Sequence, residues 1–323
     1  MINLSLIIDG NFLIQKSVHI LHKNKILYSE LYNAIEREYM SLTKLYPFDK
    51  VYFVSDSFKN WRKDFYTEYK QSRKKDTNID WTFVYKEYDR FKGYLRSNKK
   101  NCDIIQMDNL EGDDIISYLI KELNKKGNSI LLMSNDSDLL QLINYDINLK
   151  YINIMYNSKM TDDRVFIPDH YDLFLKTIRE NAKNDDIFEN NNETEYLDFF
   201  DNLLNDKKIN LINSEQELFM KTMGHNKDNI KSIFLKGDRG IGKIGILKIY
   251  DLYKQTYPIP IDFNSSLFKE RLIEHIKLFK RIKDDKLDIP MMDRLIRNLK
   301  LVKLDEESTP KHLYEKMKNE IKI

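Results

Sequence analysis

Carboxylates follow several short apolar runs of the chain, at points where a buried strand would end. Asp9, Asp56 and Asp136 each come at or just after the end of such a run, and Asp138 follows two residues later. One such residue means little, because aspartate is a common turn residue after strands and a common N-cap of helices. Several of them at one place would be able to bind metal, so their positions in the fold decide their role.

A further acidic cluster follows the apolar run at residues 103–107. Glu111, Asp113 and Asp114 open the next helix. Glu111 and Asp114 are three residues apart, so they share a face of its first turn. Carboxylates thus follow four separate apolar runs. It is then less probable that all of them serve only as turn residues and helix caps than that some of them bind a ligand.

The elements that must position these residues are apolar strands alternating with helices. Strands are predicted at 4–8, 50–54, 103–107, within 129–138, and at 149–155. This alternation predicts an α/β fold with a mainly parallel central sheet flanked by helices. Ligands bind outside the carboxyl ends of the strands of such sheets. We therefore expect seven carboxylates to converge on one edge: Asp9, Asp56, Glu111, Asp113, Asp114, Asp136 and Asp138.

Seven carboxylates at one edge require a counter-charge, because close like charges raise one another's pKa and destabilise the fold. Ligand sets made only of oxygen favour Mg²⁺ or Mn²⁺ over Zn²⁺. Two such ions about 4 Å apart would clamp the attacking and leaving oxygens of a phosphodiester. The predicted chemistry is metal-assisted phosphodiester hydrolysis, with two Mg²⁺ ions as cofactors and Mn²⁺ as a substitute.

A basic and aromatic segment at residues 59–75 lies between the second predicted strand and the next helix, and should sit above the same sheet edge. Lysine and arginine offset phosphate charge, and aromatic rings stack on unpaired bases. If the segment is helical, Tyr69 and Arg73 face the same way. The alternative is a solvated amphipathic helix. The residues predicted to contact nucleic acid here are Lys59, Arg62, Tyr69, Lys70, Arg73 and Lys74.

A glycine-rich turn at residues 237–245, GDRGIGKIG, suggests contact with phosphate. It matches GxGxxG and the first seven positions of a P-loop, but it lies far from any N-terminal βαβ unit and has Ile244 where a P-loop has Ser or Thr. A helix-hairpin-helix turn fits better, since its backbone N–H groups and a helix N-terminus hold a DNA phosphate. The alternative is an ordinary packing corner. The predicted contacts are Gly240, Gly242, Lys243 and Gly245.

The overall composition is that of a globular protein, with 41% hydrophobic and 32% charged residues. The charges nearly cancel, with 53 Lys and Arg against 51 Asp and Glu, but they are segregated along the chain. The single cysteine, Cys102, excludes an intramolecular disulfide and a Cys-based metal site. We find neither a signal peptide nor an apolar run of about 18 residues, so a cytoplasmic location is expected.

The motifs together resemble those of the 5′-nuclease family, which contains the phage RNase H and flap endonucleases and the 5′-nuclease domains of bacterial DNA polymerase I. Within it the chain looks most like the ribonuclease H group of T4-type bacteriophages. The matching motifs are IIDGN at 7–11, VSD at 54–56, WRKDFYTEYKQSR at 61–73, EGDD at 111–114, SNDSDLLQL at 134–142 and LKGD at 235–238.

The resemblance implies a PIN-like core and a 5′-to-3′ exonuclease and flap endonuclease that acts on duplex ends, nicks and RNA/DNA hybrids. Asp238 would join the strand-end carboxylates as a metal ligand, and a K⁺ ion is a further expectation at the glycine-rich turn. The implied catalytic set is Asp9, Asp56, Lys70, Arg73, Asp114, Asp136 and Asp138.

The implied biological role is removal of RNA primers during phage DNA replication, in the host cytoplasm. Single-stranded-DNA-binding protein and the sliding clamp are the partners expected by family analogy, and the protein is expected to be a monomer. Three regions are predicted. Residues 1–178 form the α/β nuclease core with a basic arch at about 57–80, residues 179–213 form an acidic, Asn-rich insertion, and residues 214–323 form a helical DNA-binding region.

Two features depart from the family pattern. A second aspartate usually follows the residue matching Asp238 by three positions, whereas this chain has Ile241, which predicts a weaker second metal site. The acidic stretch at 185–206 looks inserted. The main alternative is therefore a catalytically weak protein that binds DNA structures and retains the nuclease fold. A PIN-type ribonuclease fits less well, since it would lack the glycine-rich turn, and Ile244 argues against a nucleotide-binding ATPase.

Overall fold

The computed structural model describes most of the chain. The described residues are 3–44, 47–73, 76–99, 101–157, 164–184, 208–224, 230, 232–233, 242–278 and 291–323. Within them the strands are β1 Leu4–Asp9, β2 Lys50–Val54, β3 Cys102–Ile105, β4 Ser129–Met133, β5 Tyr145–Asp146, β6 Tyr151–Asn157, β7 Arg164–Pro168 and β8 Lys208–Ile212.

Helices connect these strands and form the C-terminal part of the chain. They are α1 Gly10–Lys23, α2 Leu31–Thr43, α3 Trp61–Phe65, α4 Trp81–Asn98, α5 Gly112–Lys125, α6 Tyr171–Asn184, α7 Ser214–Thr222, α8 Lys243–Thr256, α9 Ser266–Leu278, α10 Met291–Val302 and α11 Lys311–Glu320.

The strands form one sheet in the order β3-β2-β1-β4-β6-β7-β8, with β5 paired to β6. The first five strands of this order are parallel neighbours, β7 runs antiparallel to β6, and β8 is parallel to β7. This mainly parallel sheet flanked by helices confirms the predicted fold class. Because β1, β2 and β4 are parallel neighbours, their carboxyl ends lie side by side.

The central strands are apolar because both faces of the sheet are covered. All five residues of β4 are buried, and β1 is buried up to its final residue, Asp9. Leu6, Phe53 and Leu131 belong to the core on which these strands and the flanking helices pack. Among the described residues, no helix combines the length and the apolar content needed to cross a membrane.

The chain divides into two compact units that are interleaved in sequence. Residues 1–59, 75–212 and 316–323 form the first, called here the α/β unit. Residues 60–74 and 213–315 form the second, called the helical unit, whose core includes Phe219, Ile249 and Leu272.

Two boundaries differ from the predicted regions. The basic segment at 60–74 belongs to the helical unit, although it was predicted as part of the α/β core. Residues 208–212, predicted inside the insertion, form the edge strand β8 and pair with β7. The remainder of the stretch at 185–206 lies outside the described residues.

Candidate active site

Asp9 ends β1 at the carboxyl edge of the sheet. Its Oδ1 accepts hydrogen bonds from the backbone N–H groups of Asn11 and Phe12, both at 3.1 Å, and so caps α1. Its Oδ2 accepts from the Ser134 hydroxyl at 2.7 Å, directly after β4. One carboxylate is therefore fixed by its own helix and by the neighbouring strand.

Asp56 lies in the loop after β2, and this loop is joined to the loop after β3. Asp56 Oδ1 accepts from the Gly112 N–H at 2.6 Å, at the start of α5. The Ser55 N–H donates to the Ile105 carbonyl at 3.0 Å, and the Ser57 N–H donates to the Leu110 carbonyl at 3.1 Å. The two loops that carry acidic residues are thus held together by backbone hydrogen bonds.

Glu111 and Asp114 cap the N-terminus of α5. The Glu111 N–H donates to Asp114 Oδ2 at 3.1 Å, and both residues are buried. The interpretation of these carboxylates as helix caps is therefore correct in part. Negative charge in a first helical turn is also favoured by the helix dipole, so this role does not conflict with a place near the site.

Asp113, Asp136 and Asp138 form the clearest candidate metal site among the described residues. One carboxylate oxygen from each lies within 4.8 Å of the others, and all three residues are half-buried. Asp136 is held by local bonds, because its N–H donates to the Ser134 hydroxyl at 3.0 Å and its Oδ1 accepts from the Asp138 N–H at 2.8 Å. Asp113 lies in the first turn of α5, after β3, whereas Asp136 and Asp138 follow β4. The sequence predicted that carboxylates from these two places would converge.

The electrostatics of Asp9 link it to this cluster. Burial raises the pKa of Asp9 from its ordinary value of 3.8 to about 7, and the negative charges of Asp56 and Asp136 add to the increase. Hydrogen bonds from Ser134 and Phe12 oppose it. The carboxylates that follow β1, β2 and β4 therefore interact, although among the described residues the close group consists of Asp113, Asp136 and Asp138.

The raised pKa of Asp9 predicts a pH dependence of stability for the metal-free protein. Since folded Asp9 holds its proton up to about pH 7 and the unfolded chain loses it near pH 4, the folded state binds more protons between these values. The free energy of unfolding should thus fall as pH rises from about 4 to about 7. Calorimetry in EDTA measures this slope, and Asp9→Asn, which keeps a capping oxygen, should flatten it. An equal slope in the variant would contradict the prediction.

The basic aromatic segment is mostly folded into the helical unit. Arg62 is 1% exposed, donates from Nε to the Leu301 carbonyl at 2.9 Å and lies 4.5 Å from the centroid of the Trp61 ring. Tyr69 is also buried, in the core of the same unit. The predicted role of these two residues in contacting nucleic acid does not fit this placement, because their side chains are used inside the protein.

The predicted helical alignment of Tyr69 with Arg73 is also not observed. Helix α3 ends at Phe65, turns follow, and Lys70 has a φ of +54°. Lys70 Nζ lies 4.9 Å from the centroid of the Tyr69 ring, and Arg73 is exposed. Lys59 is exposed as well, whereas Lys74 lies outside the described residues.

The second half of the glycine-rich turn begins helix α8. Gly242 is the N-cap residue, and the Gly245 N–H donates to its carbonyl at 2.9 Å. Gly242 and Lys243 are exposed, so this helix N-terminus is accessible. Asp238, Gly240 and Ile241 lie outside the described residues. The helix-hairpin-helix assignment therefore remains a prediction.

Sequence reasoning missed four residues that support the site: Ser134, Gln106, Tyr88 and Lys92. Ser134 was detectable, since it directly follows the apolar run that leads to Asp136. Tyr88 on α4 contacts the Ser55 hydroxyl, and Gln106 in the loop after β3 donates to the Asp56 carbonyl. Lys92 on α4 donates to the Gln106 side chain. No local signal separates them from ordinary helix and loop residues.

Comparison with known sequences agrees with this geometry. A family model described as 5′-3′ exonuclease, N-terminal resolvase-like domain matches residues 4–168. A 5′-3′ exonuclease of Buchnera aphidicola subsp. Schizaphis graminum is 31% identical over 147 residues, 45% of this chain and 48% of that protein. Ribonuclease H of Enterobacteria phage T4 is 30% identical over 112 residues, 30% of this chain and 33% of that protein. The match thus spans about half, or less, of the length of these curated relatives.

Solved structures share the fold. A bacteriophage T5 5′-exonuclease with bound zinc superposes with a TM-score of 0.55 at 17% identity, covering 98% of this chain and 97% of that one. A T5 flap endonuclease in a complex with DNA and metal ions gives 0.57 at 16% identity with the same coverage. The matched residues 4–168 make up about half of the chain and contain all seven carboxylates predicted at the sheet edge. The chain therefore belongs to the family of 5′-3′ exonucleases with an N-terminal resolvase-like domain, as the sequence motifs predicted.

Proposed function

We propose that this protein is a metal-dependent 5′-to-3′ exonuclease and flap endonuclease that hydrolyses phosphodiesters in DNA and RNA/DNA duplexes. The observation that carries the proposal is the group formed by Asp113, Asp136 and Asp138 at the carboxyl edge of the sheet. Relatives named 5′-3′ exonuclease and ribonuclease H support it.

The donor set fits a hard divalent cation. Three carboxylate oxygens within 4.8 Å of one another suit Mg²⁺ or Mn²⁺, which prefer oxygen ligands. Asp9 and Asp56 are the candidates to help hold a second ion, with Glu111 and Asp114 behind them and Asp238 as a further predicted ligand. When bound, such ions supply Lewis acidity that offsets the negative charge developing on the phosphate oxygens during hydrolysis.

The residues of this chain then have separate tasks. Ser134 and the α1 N-terminus orient Asp9, and the paired loops orient Asp56. Lys59, Lys70 and Arg73 would offset phosphate charge on the substrate. The exposed start of α8, with Gly242, Lys243 and Gly245, would bind a phosphate of the duplex through backbone N–H groups, with K⁺ as a proposed additional ion there. The substrates proposed, by analogy with the family, are a 5′ flap, a nick and an RNA/DNA hybrid.

In a cell this activity would remove RNA primers during DNA replication, in the cytoplasm of a phage-infected host. We propose that the protein acts as a monomer and works beside single-stranded-DNA-binding protein and a sliding clamp. These assignments rest on the family and on the site, and each is open to a direct binding test.

A cleavage assay on a labelled 5′-flap substrate tests the function. With Mg²⁺ we expect cuts near the junction of single strand and duplex, and EDTA should abolish them because it removes the divalent ion that the carboxylates would hold. Mn²⁺ should restore cleavage after EDTA is removed. Tight flap binding without cleavage in either metal would contradict the proposal and favour a DNA-structure-binding protein.

A further inference from the structure

A buried lysine lies beside the loop that carries Asp56. Lys92, on α4, is only 5% exposed. Its Nζ donates to the Gln106 side-chain oxygen at 2.9 Å, pairs with Asp89 Oδ1 at 2.9 Å and lies 4.7 Å from the centroid of the Tyr88 ring. Burying a charged lysine is costly unless its donors find partners, and here an amide oxygen, a carboxylate and a ring face surround the ammonium group.

The partners of Lys92 fix the direction of an amide. An ammonium group can only donate hydrogen bonds, so the oxygen of Gln106, and not its NH₂ group, must face Lys92. The NH₂ group then points the other way, and it donates to the main-chain carbonyl of Asp56 at 2.9 Å. The Lys92 ammonium and the Asp56 carbonyl therefore favour the same direction of the amide, and without the lysine the carbonyl alone would hold it.

The same helix also holds the residue before Asp56. The Tyr88 and Ser55 hydroxyls are 2.7 Å apart, and both residues are buried. Tyr88 and Lys92 are four residues apart, so they lie on one face of α4. This face therefore supports the loop at two consecutive positions. Tyr88 contacts the Ser55 side chain directly, and Lys92 acts on the Asp56 carbonyl through Gln106.

We propose that Lys92 and Gln106 are positioning residues for Asp56, with Lys92 anchoring the Gln106 amide in the direction that donates to the Asp56 carbonyl. The inference rests on the proposed function, in which Asp56 is a metal ligand, and neither positioning residue touches the metal. It assigns a role to residues outside the acidic motifs. Charge alone predicts the opposite outcome for loss of Lys92, since removing a cation near carboxylates would strengthen metal binding.

Lys92→Met separates these two explanations, because it keeps the apolar stem and removes the donor. Mn²⁺ affinity, measured by titration of the DNA-free protein, should weaken by about tenfold, the low end for loss of an outer partner of a metal ligand. Lys92→Arg retains a donor-only group and should restore most of the affinity. Gln106→Leu, at an exposed position that leaves the core intact, should behave like Lys92→Met. Unchanged or tighter Mn²⁺ binding in both Lys92→Met and Gln106→Leu would overturn the proposal.

Amide hydrogen exchange in EDTA gives a readout that needs no metal. The N–H groups of Ser55, Ser57 and Gly112 join the two loops, so they should exchange faster in Lys92→Met and Gln106→Leu than in the wild type. Gln15→Leu, on the exposed surface of α1, is the matched control and should leave exchange unchanged. Wild-type protein without Mn²⁺ binding would contradict the proposed function alone, whereas unchanged exchange in both variants would contradict the positioning role.

Discussion

Replacing Asp136 with asparagine should lower Mg²⁺-dependent cleavage of a 5′ flap by about three orders of magnitude. Metal stabilisation of a phosphoryl transition state contributes several kcal/mol, and each ~1.4 kcal/mol changes the rate about tenfold. Asparagine keeps an oxygen that can accept from the Asp138 N–H, as Asp136 does at 2.8 Å. The local turn should therefore persist while one negative charge is lost from the group with Asp113 and Asp138. Single-turnover cleavage under saturating enzyme measures the effect.

Asp146→Asn is the matched control for this experiment. Asp146 also accepts from backbone N–H groups, of Asn148 at 2.8 Å and of Leu149 at 2.9 Å, but it pairs with the amino-terminal end of β6, opposite the carboxylate edge. Its cleavage rate should match the wild type. In EDTA, Asp136→Asn should be at least as stable as the wild type, since Asp136 contributes to the raised pKa of Asp9. Undiminished cleavage by Asp136→Asn would refute the metal assignment.

Replacing Gly10 with alanine should cause a large loss of stability for a single added methyl group. A Cβ atom at this position would lie 2.6 Å from a Phe53 ring carbon and 2.7 Å from the Val54 carbonyl, and closer still to the Tyr88 hydroxyl. Val54 is backbone in a buried strand and cannot move aside alone. We expect the free energy of unfolding to fall by about 3 kcal/mol, the upper end for overpacking a core. Urea denaturation measures this change.

Gly93→Ala provides the opposite case within the same chain. Gly93 is inside α4, and a Cβ atom there would meet nothing within 4 Å. The substitution should raise the free energy of unfolding by about 0.5–1 kcal/mol, because alanine loses less backbone freedom in a helix. Equal effects of the two substitutions on the free energy of unfolding would contradict the prediction that crowding around Gly10 excludes a methyl group.

The acidic edge of the sheet was predictable because each of its residues can be recognised from the few residues that precede it. Asp9 and Asp136 each end an apolar run, and parallel strands bring their carboxyl ends to one edge whatever the order of the strands. That rule needs no knowledge of which strands are neighbours. It predicts seven carboxylates near one edge, but not that Asp113, Asp136 and Asp138 would form a close group, since this depends on loop geometry after β3 and β4.

The role of the basic segment was not predictable in the same way. Arg62 and Tyr69 have the residue types of a nucleic-acid contact, and those types serve equally well for packing on a helix. Their partners are distant in sequence, and for Arg62 the acceptor is the Leu301 carbonyl. A segment's own composition cannot show which of two surfaces its aromatic side chains contact.

The residues that support Asp56 could not be recognised from the sequence for a related reason. Lys92 has the charge expected of an exposed helix position, and its burial follows only from Gln106, Asp89 and the Tyr88 ring. The third strand was predicted to extend to Met107 but ends at Ile105, which leaves Gln106 in a loop where its amide can reach Asp56. A polar network of this kind becomes visible only when elements from different parts of the chain are packed.

The interleaved arrangement of the two units affects how the chain folds as it leaves the ribosome. Residues 60–74 pack in a unit whose helices are synthesised much later, and residues 316–323 complete the α/β unit only after those helices have been made. Lys126, for example, donates to the main-chain oxygen of Ile323 at 2.6 Å. The helical unit therefore lacks part of its chain until residue 315 has been made, and the α/β unit until residues 316–323 have been made. We therefore expect Trp61 and Tyr69 to lack their packing partners on the nascent chain, where transiently exposed hydrophobic surface promotes aggregation and creates a need for chaperones.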